Sequence, residues 1–310
     1  MSFDPRTTVG TPTNTAVTAP SLAGEWLVLI RPRIATMVVA AAFVGGLLAA
    51  GTGAELGRVL EAALWIGCVA ASSSVFNQVL ERETDARMIR TRTRPLVTGR
   101  LRVRDAIFFG AFLAAIGTLG LAQRFNLLAA LLGLATIFAY ALVYTPLKRV
   151  STLNTAVGAL PGAMPPLLGY AALSGEVHGW AWYLFAILFA WQFPHFMAIA
   201  WLHREDYARA GMKMLPALPG TTGMAGRQAV VYGLFLVPLS LLPVVKGDAG
   251  IVFAVGALVL GLFYVAASVA FARREDERRA RVLLLVSLLY LPVLFVVILT
   301  DPVVRFALAS

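Results

Sequence analysis

Long apolar runs alternate with short polar connections along most of the chain, from residue 34 to residue 299. A helix needs about 20 apolar residues to cross a bilayer, and nine runs approach that length. We predict nine membrane spans, which lie near 34–51, 59–77, 105–122, 126–144, 153–173, 180–201, 228–245, 250–271 and 282–299. The pattern therefore predicts an all-α polytopic membrane protein.

Residues 1–24 are rich in Thr, Pro and Ala and contain no apolar run. This composition is typical of a disordered segment, and it lacks the apolar core of a secretory signal peptide. We expect a disordered tail at 1–24 and a single membrane domain of nine transmembrane helices at 25–310. Cys68 is the only cysteine, which excludes a disulfide framework.

Basic residues are concentrated on one side of the predicted membrane. The chain carries 26 Lys and Arg against 16 Asp and Glu, a net charge of +10, which would by itself suit nucleic acid. However, 22 of the 26 fall in the N-terminal segment and in every second connection after it. Because cytoplasmic loops carry an excess of Lys and Arg, we predict a cytoplasmic N-terminus in the cell (inner) membrane and no nucleic-acid partner.

Two cytoplasmic loops, 78–104 and 202–227, are long and begin with similar motifs. LERETDAR at 80–87 and LHREDYAR at 202–209 share the pattern L-x-R-E-x-x-A-R. Their equal placement, after spans two and six, indicates two parallel four-helix repeats followed by a ninth helix. Because the outer connections are short, we expect the function to face the cytoplasm.

Prolines fall within two of the predicted spans. Pro165 and Pro166 lie in the fifth span, and Pro194 lies in the sixth. Breaks in a helix are tolerated in lipid where neighbouring groups or a cavity satisfy the freed carbonyls. We therefore expect these two helices to be interrupted and to line a central cavity that opens to the cytoplasmic side.

An amide and two carboxylates lie four residues apart at the end of the second span, at Asn77, Glu81 and Asp85. Positions i, i+4 and i+8 share one face of a helix, so the sequence predicts a single stripe of oxygen ligands. Such ligands suit Mg²⁺, which shares its remaining positions with water and substrate phosphates. The alternative is a solvated helix end whose acids pair with arginines such as Arg82 and Arg90.

More polar side chains are predicted at the same membrane face. The sixth span contains His195 and is followed by His203 and Asp206, so a second polar cluster converges on the cavity. Arginines near both clusters would donate bidentate hydrogen bonds to a diphosphate. Lys148 lies on the turn between spans four and five, where it could contact the leaving group. The alternative is that the basic residues of this turn serve only to orient the protein in the membrane under the positive-inside rule.

Four stretches carry a resemblance to a known family: NQVLERETDARMIRTRTRPLVTGR, YTPLKR, LPGAMPPLLGY and WQFPHFMAIAWLHREDYARAGMKMLP. They resemble the intramembrane aromatic prenyltransferase (UbiA-type) superfamily, whose members have nine helices and two acidic motifs on cytoplasmic loops. The similarity covers nearly the whole chain from Arg31 onward. The first motif, N-x-x-x-D-x-x-x-D, falls on Asn77, Glu81 and Asp85, with Glu in place of the middle Asp.

Within this superfamily the stretches are most similar to the haem-directed branch. The resemblance implies transfer of the farnesyl group of farnesyl diphosphate to the vinyl group of protohaem IX (haem B), with addition of water, giving haem O and diphosphate. It implies Mg²⁺ as cofactor, held by Asn77, Glu81, Asp85 and Asp206. The second acidic motif is thinned to His203, Glu205 and Asp206, which weakens the case for two equivalent Mg²⁺ sites.

The resemblance and the residue pattern together give a set of candidate site residues. The predicted catalytic residues are Asn77, Glu81, Asp85, Lys148, His195 and Asp206. The predicted contacts of diphosphate or haem are Arg82, Arg90, Arg94, Tyr144, Arg149, His203 and Arg204. For His195 three roles stay open, which are haem contact, handling of diphosphate or water, and packing; the nearby Trp191, Phe196 and Trp201 are candidates for stacking on a porphyrin.

Two other functions fit the same sequence. One is prenyl transfer to a quinone precursor or related aromatic ring, and the other is transport. Transport is disfavoured because ionisable groups in a transport path usually lie near the midplane, whereas here they lie at one face. The expected partners are farnesyl diphosphate, haem B and the lipid bilayer, with haem A synthase or assembly factors of terminal oxidases as candidate protein partners.

Overall fold

The computed structural model describes residues 21–51 and 55–304, which form helices and connecting loops. The helices are α1 (Leu22–Ile30), α2 (Pro32–Ala50), α3 (Leu56–Leu80), α4 (Arg82–Asp85), α5 (Val103–Arg124), α6 (Leu127–Phe138), a π-helix (Ala139–Tyr144), α7 (Thr145–Leu147), α8 (Asn154–Ser174), α9 (Trp180–Leu202), α10 (Arg204–Arg209), a 3₁₀ turn (Leu215–Ala217), α11 (Met224–Lys246), α12 (Ile251–Arg273) and α13 (Glu277–Thr300).

The nine predicted spans are confirmed within a few residues at each end. In the described part of the chain, nine helices are long and apolar enough to cross a membrane, the fourth being the continuous segment Leu127–Leu147. Their outward faces carry exposed Leu, Val and Phe side chains, such as Phe108 and Phe263. Because these side chains would be unfavourable in water, the faces suit contact with lipid.

The predicted tail at 1–24 falls mostly outside the described residues, which begin at residue 21. Residues 22–24 form the first turn of α1, so this helix begins inside the predicted tail. Ser21 caps the helix, since its side chain accepts a hydrogen bond from the backbone of Gly24 at 3.2 Å. Helix α1 is too short to span a bilayer and lies beside α3, where Gln78 donates to the carbonyls of Val28 and Leu29.

The fifth and sixth spans are the most buried of the nine. The prediction that prolines interrupt them is wrong, because α8 runs unbroken through Pro165 and Pro166, and α9 through Pro194. Gln192 of α9 donates to the carbonyl of Ala159 in α8 and to that of Leu188 in its own helix, both at 3.0 Å, and so ties the two helices together. Packing against neighbouring helices therefore holds the proline-containing segments helical.

Helices α2 and α8 cross at backbone contact distance. A Cβ atom at Gly45 would collide with the carbonyl oxygen of Pro166, and one at Gly169 would collide with the carbonyl oxygen of Ala42. Small residues at such crossings let two membrane helices approach closely, which supplies dispersion and weak hydrogen bonds. The crossing fixes the relative position of two helices that also line the cavity described below.

The two loop motifs are similar in structure as well as in sequence. Helix α3 ends at Glu81 (φ −91°, ψ 2°), and α9 ends at His203 (φ −112°, ψ 19°); a short helix, α4 or α10, follows each break. This geometry supports the predicted internal repeat. The i, i+4, i+8 spacing predicted one unbroken helix from Asn77 through Asp85. This prediction is wrong, because the helix is interrupted at Glu81.

Hydrogen bonds tie the loops at this end of the bundle to one another. The backbone N–H of Lys213 donates to the carbonyl of Lys148 at 2.6 Å, and Asn154 donates to the carbonyl of Lys213 at 2.9 Å. Arg149 donates to the carbonyl of Leu80 at 3.0 Å. These contacts bring together the end of α3, the end of α7, the start of α8 and the loop after α10.

Candidate active site

A cavity of about 720 Å³ lies between α2, α3, α8, α9 and α13 and extends to the loops. Its polar end is lined by Glu81, Asp85, Arg90, Arg94 and Lys148. Its apolar part is lined by aliphatic and aromatic side chains, including Trp191, Phe196, Leu291 and Phe295, with His195 among them. Charged groups at one end and an apolar chamber at the other suit a ligand with an anionic head and a lipid body.

Glu81 and Lys148 form an ion pair at the polar end. Nζ of Lys148 lies 2.7 Å from Oε1 of Glu81, and both side chains are largely buried. The Lys148 ammonium also lies 4.4 Å from the ring centroid of Tyr144, a cation–π contact. The pair therefore holds a cation and a carboxylate against the cavity wall at the point where α3 breaks.

Asp85 and Arg94 form a second ion pair within the loop 78–104, with 2.5 Å between Oδ2 of Asp85 and Nη1 of Arg94. Oδ1 of Asp85 is buried and has no hydrogen-bond partner among the described residues. Burial raises the pKa of the Asp85 carboxyl, although the neighbouring Arg94 offsets part of this shift. Burying a carboxylate oxygen without a hydrogen-bond donor costs free energy. This atom is therefore suited to bind a cation or a hydrogen-bond donor of a ligand in the cavity.

Asn77 is fully buried behind the cavity wall rather than in its lining. Its Oδ1 accepts a hydrogen bond from Nη2 of Arg31 at 2.9 Å, and its Nδ2 donates to Oγ1 of Thr145 at 3.0 Å. Arg31 lines the cavity and has a left-handed backbone (φ 50°) at the junction of α1 and α2. Asn77 thus orients a guanidinium that the sequence did not single out.

Asp206 joins the two long loops. Its carboxylate accepts hydrogen bonds from the backbone N–H groups of Ile89 at 3.0 Å and Arg90 at 3.4 Å, and it pairs with Arg209. Burial acts to raise the pKa of this carboxyl, but these hydrogen bonds outweigh it and lower the pKa. Asp206 is absent from the cavity lining, so the structure places it as a contact between loops.

Four other predicted contacts lie outside the cavity lining. Arg82 is exposed on α4, and Arg149 caps a carbonyl of α3. Arg204 stacks over the ring of Trp201 at 4.1 Å. His203 is half-buried, and burial, together with the charge of Arg90, lowers its pKa.

Several polar side chains of the lining were not predicted from the sequence, among them Arg31, Tyr140 and Tyr207. Tyr140 precedes Tyr144 by four residues, and their rings lie 5.2 Å apart on the π-helix. Tyr207 occupies the position of Asp85 when the two loop motifs are aligned. The repeat in the sequence was therefore a signal that pointed to Tyr207.

The π-helix Ala139–Tyr144 turns Tyr144 toward the cavity before the chain reaches Pro146. Such segments widen a helix by one residue per turn and are frequent at functional sites. Gly158 on α8 leaves room for the Tyr144 ring, because a Cβ atom at this position would collide with it. The local backbone and a facing glycine together place the tyrosine beside Lys148.

His195 lies in the cavity lining on α9. Its Nδ1 lies 2.7 Å from Oγ of Ser287 on α13. Trp191 stacks on the imidazole, with ring centroids 4.8 Å apart, and its indole N–H donates to the carbonyl of Ser287. Trp201 is instead packed on Phe271, away from the cavity.

The residues present fit a divalent cation in part. Within residues 21–51 and 55–304, no group of three or more His, Cys, Asp or Glu side chains converges as a preformed metal site. Asp85 nevertheless offers an unpartnered carboxylate oxygen, and the carboxylate of Glu81 lines the same cavity. One or two carboxylates are what Mg²⁺ takes when substrate phosphates complete its coordination.

Comparison with known proteins points to one family. The model of the UbiA prenyltransferase family matches residues 38–291. The chain is 41% identical over 286 residues to a protein of Solibacter usitatus named "Protoheme IX farnesyltransferase"; the match covers 89% of this chain and 98% of that protein.

Solved structures share the fold. A structure of digeranylgeranylglyceryl phosphate synthase has a TM-score of 0.73 at 16% identity and covers 92% of this chain and 97% of its own. A UbiA homologue from Archaeoglobus fulgidus, bound to GPP and Mg²⁺, has a TM-score of 0.66 at 20% identity and covers 88% and 99%. At these identities the likeness concerns the fold alone, which agrees with the predicted all-helical membrane architecture.

Proposed function

The chain belongs to the UbiA prenyltransferase family, and on this premise we propose that it transfers the farnesyl group of farnesyl diphosphate to a vinyl group of protohaem IX. Water adds in the same reaction, so that the products are haem O and diphosphate. Relatives with this activity in their name match about nine-tenths of the chain, and they do not favour the alternative of a quinone precursor.

One observation of the molecule itself carries the proposal. A single cavity joins a polar end, where two carboxylates alternate with cations, to an apolar chamber that contains His195. The polar end suits a diphosphate, and the apolar chamber suits a farnesyl chain and a porphyrin. A transporter has no need of ion pairs gathered at only one end of its path.

The cations of the polar end bind and stabilise diphosphate. Lys148 and Arg94 are held in place by Glu81 and Asp85, while Arg31 is oriented by Asn77. Guanidinium groups make charge-assisted, bidentate hydrogen bonds to phosphate oxygens. Because these cations are fixed before the substrate arrives, little reorganisation is needed when negative charge grows on the leaving group.

Asp85 and Glu81 would hold Mg²⁺ together with the substrate phosphates. When bound, the cation neutralises charge on the diphosphate as it leaves. The two side chains lie beside Arg94 and Lys148, so protein and metal charges would act on the same oxygens. For Asn77 and Asp206, also predicted as metal ligands, the hydrogen bonds to Arg31 and to the loop backbone support positioning roles instead.

The reaction then follows from the placement of these groups. The allylic C–O bond breaks and its electron pair leaves with diphosphate, next to Lys148, Arg94 and Arg90. The farnesyl cation is attacked by the electron pair of the haem vinyl group, which forms the new C–C bond. Water adds to the carbocation next to the ring and loses a proton, giving the hydroxyl group. The apolar walls restrict water until this last step.

His195 contacts the ring acceptor in this proposal. It is the histidine of the cavity lining, and the neighbouring Trp191 and Phe196 offer flat apolar faces. Imidazole nitrogen is a common axial ligand of haem iron. We therefore assign His195 to haem rather than to diphosphate or packing.

The active site faces the cytoplasm, as does the N-terminus. This orientation rests on the distribution of Lys and Arg along the sequence, where 22 of 26 fall in the N-terminal segment and in every second connection after it. We place the protein in the cell (inner) membrane on the same grounds. Haem A synthase or an assembly factor of a terminal oxidase, which would take up the apolar product, is the proposed protein partner.

The test is product formation by the purified protein in detergent. Haem B, farnesyl diphosphate and Mg²⁺ are supplied. The extracted haems are separated by chromatography, and their molecular masses are measured by mass spectrometry. Haem O is expected, and chelation of all divalent cations should abolish its formation. If haem B is unchanged while a hydroxybenzoate or naphthoate acceptor is farnesylated, the quinone alternative replaces the proposal.

A further inference from the structure

Ser287 lies where α13 meets the histidine of the cavity, and its side chain is fully buried. Its Oγ lies 2.7 Å from Nδ1 of His195 and 2.6 Å from the carbonyl oxygen of Leu284, one turn earlier in α13. A hydroxyl group carries one proton and can accept hydrogen bonds as well. The single proton must therefore go either to the carbonyl or to the imidazole.

The two arrangements differ in the number of hydrogen bonds that they form. If Ser287 donates its proton to Nδ1, no proton lies between Oγ and the carbonyl oxygen of Leu284, and only one of the two contacts is a hydrogen bond. If Ser287 donates to Leu284, then Nδ1 of His195 carries a proton and donates it to Oγ, and both contacts become hydrogen bonds. Because buried polar groups in proteins are paired wherever the geometry permits, we infer that Ser287 holds His195 in its Nδ1–H tautomer.

The tautomer determines what His195 offers to the cavity. Nε2 has no hydrogen-bond partner among the described residues, and the ring lines the cavity. With the proton on Nδ1, Nε2 bears an unshared electron pair. Trp191 keeps the ring in this orientation, because it stacks on the imidazole and donates from its indole to the carbonyl of Ser287 at 2.9 Å.

The consequence rests on the proposed function. An electron pair on Nε2 is what an iron porphyrin accepts from histidine, and ligating histidines commonly donate their other N–H to a neighbouring acceptor. Ser287 is thus a positioning residue for the ring acceptor, acting through His195. Ser287 lies on α13 and outside the cavity lining, whereas the diphosphate cations Arg31, Arg94 and Lys148 belong to other segments of the chain, so its effect should be specific to haem.

The tautomer is measured directly by nitrogen NMR. The full chain is labelled with ¹⁵N-histidine and studied in detergent without substrates; it contains three histidines, and a His195→Gln variant identifies the signals of His195. Protonated and unprotonated ring nitrogens have well-separated shifts. We expect the Nδ1–H form, and an Nε2–H form in the unmodified protein would overturn the inference.

Variants extend the test. Ser287→Ala should shift the tautomer ratio about tenfold toward Nε2–H, in line with the loss of one hydrogen bond, whereas Ser287→Thr should restore it. Ser240→Ala is a matched control, since Ser240 is equally buried and also donates to a carbonyl three residues earlier. An unchanged ratio in Ser287→Ala would contradict the inference.

Ferric haem titrated without farnesyl diphosphate separates the inference from the proposed function. Ser287→Ala should weaken haem binding, read from the optical signature of imidazole-bound haem, about two- to fivefold, because a tenfold shift of the tautomer ratio lowers the Nδ1–H fraction by that factor; His195→Gln should remove the signature. If NMR gives the Nδ1–H form but His195→Gln leaves the haem spectrum unchanged, the tautomer assignment stands and the proposed haem contact of His195 is wrong.

Discussion

The amide oxygen of Asn77 accepts a hydrogen bond from the guanidinium of Arg31 across 46 positions of sequence. This contact supports a role for Asn77 in orienting Arg31, a cation of the cavity lining, whereas the sequence predicted Asn77 as a metal ligand. Two roles are therefore in competition for Asn77, and they differ in what its removal would change.

Asn77→Ala should raise KM for farnesyl diphosphate about tenfold, because one charge-assisted hydrogen bond orients Arg31. The Mg²⁺ concentration for half-maximal activity should stay the same. Steady-state rates at varied substrate and varied Mg²⁺ measure both quantities. Arg31→Gln, which removes the guanidinium itself, should show the same pattern; a raised Mg²⁺ requirement in Asn77→Ala would restore the metal role.

Asp85→Asn should lower haem O formation by about 100-fold or more, since the change removes a charge that pairs with Arg94 and would bind the proposed Mg²⁺. The protein should remain folded, because the amide keeps the shape of the side chain. Glu83→Gln is the control, as Glu83 lies exposed on the same short helix. Pigment extraction measures the product, and normal haem O from Asp85→Asn would exclude a role in catalysis.

Asp206→Asn should loosen the contact between the two long loops without removing a cavity side chain. We expect hydrogen exchange at the amides of Ile89 and Arg90 to become about tenfold faster, since an amide oxygen is a weaker acceptor than a carboxylate. Activity should fall less than in Asp85→Asn. Glu205→Gln, an exposed neighbour, should change neither; unchanged exchange in Asp206→Asn would refute the loop contact.

Stability should depend on pH through Asp301 at the other end of the bundle. Its buried carboxylate accepts hydrogen bonds from the backbone of Gly250, Phe253, Val303 and Val304. Burial acts to raise the pKa of this group, but the four donors outweigh it and lower the pKa. A lowered pKa gives stability that is present above the unfolded value of about 3.9 and is lost as the pH falls through the folded value.

Asp301→Asn should therefore lower the free energy of unfolding by about 1–3 kcal/mol at pH 7. The variant should also lose the part of the acid dependence that lies below about pH 4. Thermal unfolding in detergent at a series of pH values measures both effects. An acid profile identical to that of the unmodified protein would show that Asp301 does not contribute.

The sequence predicted the parts of this molecule that depend on local patterns. Nine apolar runs predicted the spans. The spacing of polar residues at the span ends, together with their charge, predicted Glu81, Asp85, Lys148 and His195 as site residues, and all four line the cavity. Contacts between distant segments were not predictable in this way. Asp206 meets Ile89 across 117 positions, and such hydrogen bonds between loops leave no periodic signature in the chain.

Backbone geometry was the second limit. The break at Glu81 depends on two dihedral angles that many residues adopt, so the spacing of Asn77, Glu81 and Asp85 suggested one helical face where there are two segments. The prolines of α8 and α9 were misleading for the opposite reason. Both segments stay helical within the surrounding bundle, and a single sequence does not reveal that packing.

The close crossing of α2 and α8 at Gly45 and Gly169 constrains how this chamber can change during evolution or engineering. Any side chain added at either glycine forces the two backbones apart, so this wall is rigid and intolerant of substitution. A larger or smaller acceptor ring must instead be accommodated by exchanging other side chains of the lining, such as Leu291 and Phe295 of α13.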